Sequence, residues 1–232
     1  MNRDAIAEDP NASLNVSAFI VAAEWLSGIF IAPMSPQQVA QASTASSQDT
    51  LRWMGAQLDA SAEAETLCRK LEQDDPKGLT VHLQRRYTAL FEGIFRDRAV
   101  LPYESAWKGR DRSTLGGESV AEMNAVLRNL DLHVSKDCCE PSDHLAIELS
   151  ALVAALRGDR ITIAAGLACR LQDWVPAFTE ALTRQDAEGF YAGAGKLLLA
   201  LVREASALLT VNEFAAASVS EFVLEQREGE SA

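Results

Sequence analysis

Ser142-Asp143-His144-Leu145-Ala146-Ile147-Glu148-Leu149-Ser150-Ala151-Leu152-Val153-Ala154-Ala155-Leu156-Arg157-Gly158 is the stretch that decides the fold class. Leu145, Leu149, Leu152, Val153 and Leu156 recur at three- and four-residue intervals, the spacing that gathers side chains onto one face of an α-helix. A stripe so regular needs other elements to cover it, so the segment predicts a core helix. Ser142 stands where an N-cap is expected, Asp143 suits the positive first turn, and Gly158 marks the end.

Outward from this helix the same period recurs. Leu14 to Phe30 carries Val16, Phe19, Ile20, Ala23 and Leu26 on one stripe, with Pro33 past its end. Ser35-Pro36-Gln37-Gln38 combines an N-cap, a proline at the first helical position and a Gln able to close a capping box. Ser43 to Thr50 reads as a Ser/Thr-rich loop, Leu51–Leu58 and Ala62–Leu71 as short helices, and Asp74-Asp75-Pro76 as their close. Leu79 to Phe91 is helical through Leu83, Tyr87, Leu90 and Phe91, and Gly93 is placed to end it in a left-handed turn. Ile94 to Gly117 then loses all period yet keeps Phe95, Tyr103 and Trp107, and an aromatic loop of this length points to function or tight packing. Glu118–Leu130, Ile161–Leu171, Val175–Leu182 and Phe190–Leu209 complete the series. The expectation is an all-α, single-domain compact helical bundle of about 9–11 helices across residues 1–232, with about 12 N-terminal and 10 C-terminal residues flexible.

Composition agrees. Ala (38) and Leu (28) outnumber Val (14) and Ile (8), the balance of a helical rather than a strand-built chain. A net charge of −12 repels phosphate backbones and anionic lipid and favours a basic partner, so nucleic acid is not expected as a ligand. Val16 to Ile31, the most apolar run, carries Glu24 at its middle, which argues against membrane insertion. No short apolar run ends in a cleavage site near the N-terminus, and Cys68, Cys138, Cys139 and Cys169 form no CxxC pair. Unpaired thiols in the cytoplasm are the expectation.

The chemistry-bearing residues cluster in Cys138-Cys139-Glu140-Pro141-Ser142-Asp143-His144, with Glu148 one turn on. Zinc could use such groups, but adjacent cysteines and one His-to-Glu pair leave the ligand set incomplete, and no metal or other cofactor is expected. A metal-dependent hydrolase using His144 and Glu148 is the enzymatic alternative; with three histidines and no G-x-S-x-G elbow in the chain, catalysis is not the favoured reading. Gly193-Ala194-Gly195-Lys196 fails as a phosphate loop, since Phe190 stands where its first glycine belongs and Leu197 where Ser or Thr binds magnesium.

Two blocks stand out together: Tyr87-Thr88-Ala89-Leu90-Phe91-Glu92-Gly93 with Leu101-Pro102-Tyr103-Glu104-Ser105-Ala106-Trp107, and Glu140-Pro141-Ser142-Asp143-His144 ending in Glu148-Leu149, with Trp174-Val175-Pro176-Ala177-Phe178 downstream. The first is similar to the Y-x-x-L-F-x-G and P-Y-E-S patterns, and the second to the E-P-x-D-H-x-x-x-E-L pattern, of the TorD/DmsD family of molybdoenzyme maturation chaperones, which the chain thus resembles. Two departures stand out: Leu101 takes the place of a proline common before Pro102, and Arg170 takes that of a histidine common before the downstream Trp. The resemblance implies an all-helical chaperone, a monomer or domain-swapped dimer, that binds the twin-arginine leader peptide or the apoenzyme of a molybdenum-cofactor oxidoreductase. It implies that Asp143, Glu104 and Glu148 meet guanidiniums, that Tyr87, Leu90, Phe91, Phe95, Pro102, Tyr103 and Trp107 line an apolar groove, and that His144 orients Asp143 or contacts the peptide. A helical adaptor for a different client is the alternative on the same logic.

Overall fold

The computed structural model describes residues 10–73, 75–93, 99–108, 115–135, 138–205 and 207, with side chains from Val16 onward. Eight α-helices are α1 (Pro10–Ile31), α2 (Pro36–Ala42), α3 (Ala45–Gln57), α4 (Ser61–Glu72), α5 (Pro76–Phe91), α6 (Glu118–Asn129), α7 (Leu145–Arg157) and α8 (Ile161–Gln185). A ninth, α9, runs over 190–205, and a 3-10 turn occupies Glu104–Ala106. Among the described residues there is no strand, only one isolated antiparallel bridge, Tyr103 to His144. The all-α bundle is the fold that periodicity and composition predict.

Local chemistry sets the helix boundaries. Ser35 and Gln38 close the expected capping box at α2, and Gly93 takes the left-handed turn (φ +69°) after α5. Asp75 does more than end the preceding region: its carboxylate accepts from Lys77 N and Gly78 N and starts α5 with Pro76 in the first position. Three boundaries differ from expectation. The Ser/Thr-rich stretch is the first half of α3, because Thr44 Oγ1 accepts from Ser47 N and Gln48 is buried beside Leu51. The two helices expected around Pro176 are one. A helical φ suits proline, which forfeits one main-chain bond, while buried Leu167, Leu171, Trp174, Val175 and Phe178 keep the inward period across it. The N-cap of α7 is His144 rather than Ser142, whose hydroxyl instead donates to Val120 O.

Helix α7 lies at the centre, against α1 on one side and α8 on another, while α3 packs on α1 and α4 and α2 on α5. Ser27 Oγ donates to Ala146 O at 2.9 Å and drops the α1 backbone close onto α7. One continuous set of buried side chains runs from Phe19 to Ala205. Its aromatic centre is Phe30, Tyr87, Phe91, Phe178 and Tyr191, mostly edge-to-face with centroids 5.0–6.4 Å apart. Burial on this scale, at about 25 cal/mol per Å² of apolar surface, is what offsets the cost of ordering the chain.

Candidate functional site

The two sequence blocks, about 40 residues apart, meet in space. The chain from Pro102 to Ser105 lies antiparallel to Asp143–Leu145: Leu145 N donates to Pro102 O at 2.8 Å and Glu104 N to Asp143 O at 3.0 Å. Side chains lock this bridge. Ser105 N donates to Asp143 Oδ2 at 3.1 Å, Tyr103 Oη donates to Glu140 Oε2 at 2.6 Å, and the Tyr103 ring meets the His144 ring edge-on at 5.2 Å. The aromatic loop is thereby clamped to the mouth of α7, and Pro102, which has no N–H to give, contributes the acceptor that Leu145 needs.

Asp143, His144, Glu104 and Glu148 are all fully or almost fully buried. His144 Nδ1 accepts from Ala146 N at 3.1 Å, so the ring caps α7 as a neutral acceptor. Burial pulls its pKa down to about 4, although Asp143 beside it works the other way. Asp143 Oδ1 has no hydrogen-bond partner among the described residues.

Glu104 and Glu148 converge on Arg170, which reaches in from α8. Its Nη2 is bonded to Glu104 Oε2 and to Ser119 O (2.7 Å), its Nη1 to Glu122 Oε2 (2.8 Å), and its Nε lies 3.5 Å from Glu148 Oε1. Lys108 Nζ adds a second cation, 2.8 Å from Glu104 Oε1 and 3.3 Å from Asp173. The other Glu148 oxygen accepts from Trp174 Nε1 at 3.1 Å. Burial, reinforced by Glu104, pushes the Glu148 carboxyl up to about 8, against the pull of Arg170 and Trp174. Buried carboxylates this close survive because a planar guanidinium bridges them.

Expected and observed placements differ in kind. Tyr87, Leu90 and Phe91 belong to the core, with Tyr87 Oη donating to Phe30 O at 3.0 Å. Tyr103 and Trp107 are half-buried at the clamp, and Trp107 Nε1 donates to Leu101 O at 2.8 Å. Phe95 lies outside the described residues. Glu104 and Glu148, expected to face a partner's guanidinium, face this chain's own. Sequence reasoning passed over Ser105, Glu140 and Lys108 as site residues, and marked Arg170 only as a departure from a pattern. The four-residue step from Glu104 to Lys108 was the available signal for the second cation. Cys68 is buried, Cys138 half-buried, and Cys139 and Cys169 exposed, all as free thiols. Among the described residues no group of three His, Cys, Asp or Glu is placed to hold a metal ion, and no helix is long and apolar enough to cross a membrane.

The two blocks that resemble the TorD/DmsD patterns are thus joined in one clamp within an all-α bundle. Residues 56–180 match the nitrate reductase delta subunit family, and the chain belongs to that family of TorD- and NarJ-like chaperones. It is 31% identical over 193 residues to the chaperone protein TorD of Vibrio cholerae serotype O1, covering 78% of this chain and 86% of the relative. To the chaperone protein TorD of Escherichia coli O45:K1 it is 27% identical over 209 residues, covering 82% of this chain and 96% of the relative. A crystal structure described as a redox enzyme maturation protein from Archaeoglobus fulgidus aligns over 92% of this chain and 99% of its own, with 14% identity and a TM-score of 0.44.

Proposed function

We propose that this protein is a cytoplasmic, non-enzymatic chaperone that binds the twin-arginine leader, the apo form, or both, of a molybdenum-cofactor oxidoreductase and assists cofactor insertion before export. The observation that carries the reading is the clamp: the two blocks that resemble the TorD/DmsD patterns form one bonded unit at the mouth of α7, with a buried acid set behind it. Such a unit suits a ligand that brings positive charge, as does a net charge of −12.

A leader also brings an apolar stretch. A cavity of about 340 Å³ opens one turn along α7 from the clamp, walled by Ile31, Leu127, Leu132, Val134 and Ile147. We assign the apolar stretch to this wall and the arginines to the acid set, with the half-buried Tyr103 and Trp107 at the clamp as further contacts. Titration calorimetry with a leader peptide, against the same peptide with both arginines changed to Ala, tests the reading. The intact peptide should bind more tightly by about 1.5–3 kcal/mol, a factor of ten or more. Failure to bind either a leader or an apo-molybdoenzyme refutes it.

A further inference from the structure

Arg170 sits on the boundary of α8, between the inward row of Leu167, Leu171 and Trp174 and the exposed Cys169 and Asp173. Its side chain is 10% exposed and spends all three guanidinium nitrogens on partners from three other elements: Glu104 on the 3-10 turn, Ser119 and Glu122 on α6, Glu148 on α7. Two of those carboxylates are fully buried, whereas the Glu122 side chain is 54% exposed, so the guanidinium has its inner edge on buried acid and its outer edge at solvent. The acceptors are spread over Nε, Nη1 and Nη2 of one guanidinium, a fork that a single ammonium nitrogen cannot match. Lys108 already neutralises the far oxygen of Glu104, so Arg170 can leave without stranding that residue wholly unpaired. Asp143, whose main chain is bridged to Glu104, keeps one buried oxygen that Arg170 does not reach.

We infer that Glu104, Glu148 and the Ser119 carbonyl form an arginine seat, and that Arg170 is its internal occupant, holding the place that an arginine of the client takes. The client half of this inference rests on the function proposed above; the seat itself does not. Free protein avoids the cost of two buried unpaired carboxylates by filling the seat from within. A client guanidinium enters by exchange, so part of its binding energy goes to displacing Arg170, and the apparent affinity is lowered by the fraction of time the seat is taken. A client that also donates to Asp143 gains a partner that Arg170 lacks. The seat thus discriminates against a lone positive charge and favours a ligand that brings a guanidinium together with further contacts.

Methylguanidinium and methylammonium are the probes for the seat, and the Trp174 indole N–H, bonded to Glu148, is its reporter in NMR spectra. In Arg170→Ala, millimolar methylguanidinium should shift that signal saturably and raise the melting temperature, methylammonium should do so much less, and wild type should respond to neither. An unresponsive Arg170→Ala, or an equal response in wild type, overturns the seat. Arg170→Lys keeps a cation for folding while giving up the fork, and it carries the client arm. A leader with its arginine pair should bind Arg170→Lys several-fold more tightly than wild type, and a leader with both arginines changed to Lys should gain nothing. Arginine-dependent binding of equal strength to both proteins overturns the exchange and leaves the chaperone reading standing. A seat that fills with methylguanidinium while no leader or apoenzyme binds either protein overturns the chaperone reading and the exchange together.

Discussion

Asp143→Ala and Asp143→Asn separate what holds the clamp from what a client would use. The Asp143 carboxylate is fully buried, and its Oδ2 accepts from the almost fully buried Ser105 N–H at 3.1 Å. Alanine strands that N–H, at about 1–3 kcal/mol for an unpaired buried donor, and removes a charge-assisted bond. Against this, it also removes Oδ1, a buried oxygen with no donor among the described residues. The main-chain pairs Glu104 N to Asp143 O and Leu145 N to Pro102 O do not depend on the side chain. The loss should therefore settle near 1–2 kcal/mol, or about 2–8 °C in melting temperature for a chain of this size. Asparagine keeps an acceptor for Ser105 and should stay within about 1 kcal/mol of wild type. Helical circular dichroism on heating reads both, and amide exchange at Ser105 should quicken in the Ala variant alone. An Ala variant as stable as wild type, or an Asn variant that loses as much as Ala, would refute the account of the clamp. Binding of an arginine leader should fall in both variants if the charge itself is used.

Three further outcomes follow from the packing and the charges. His144 holds its pKa near 4 against an ordinary 6.5, so between those values the unfolded chain takes up a proton that the folded one refuses. The contribution of His144 should fall by about 3 kcal/mol as pH drops through that window, against the opposite contribution of Glu148 above 4.5, so His144→Asn, which can still cap α7, should leave a chain that gains stability from pH 6.5 down to 4.5 in urea titrations. Glu148 works in the opposite direction: with its carboxyl pushed from 4.5 to about 8, the folded state keeps a proton that the unfolded state has lost. Stability should decline as pH rises from 6.5 toward 8, where His144 no longer contributes, and an undiminished decline in Glu148→Gln would contradict this. Away from the site, a Cβ on Gly55 would stand 2.4 Å from Ala64 Cβ, where α3 and α4 touch. Gly55→Ala should cost about 1–3 kcal/mol by prying that pair apart, in spite of alanine's better helix propensity, and a gain in melting temperature would disprove the close contact.

Helix class, helix order and most helix ends were legible because each rests on a local cause: the period of Leu145 to Leu156, the capping box at Ser35, the left-handed Gly93. Where local causes mislead, burial decides. Thr44 starts a helix within what composition marks as loop, and Pro176 sits inside one because its neighbours on the inner face are Trp174, Val175 and Phe178. At the site the two motifs could be read, and their union could not. A single main-chain bridge brings residues about 40 apart together, and periodicity carries no record of it. The side chain of Tyr87 looks as suited to a groove as that of Tyr103. What distinguishes them is the Phe30 carbonyl above one and the Glu140 carboxylate beside the other.

Arg170 shows most plainly why residue type does not fix a role. An acid pair in an acidic chain suggests a receptor for a foreign cation, and that suggestion treats the carboxylates as empty. A folded protein cannot keep two buried, mutually repelling carboxylates empty while it waits for a partner, because desolvation costs several kcal/mol for each. Protonation offers one release, and the upward shift at Glu148 is part of that answer. An internal cation offers another, and Arg170 with Lys108 supplies it. The same requirement makes recognition an exchange rather than an addition: whatever positive group docks against Glu104 and Glu148 must do better than the one already there. Under the exchange proposed above, selectivity resides in the difference between two guanidiniums, one tethered to α8 and one carried by the client, with contacts at Asp143, Tyr103 and Trp107 counting on the client's side.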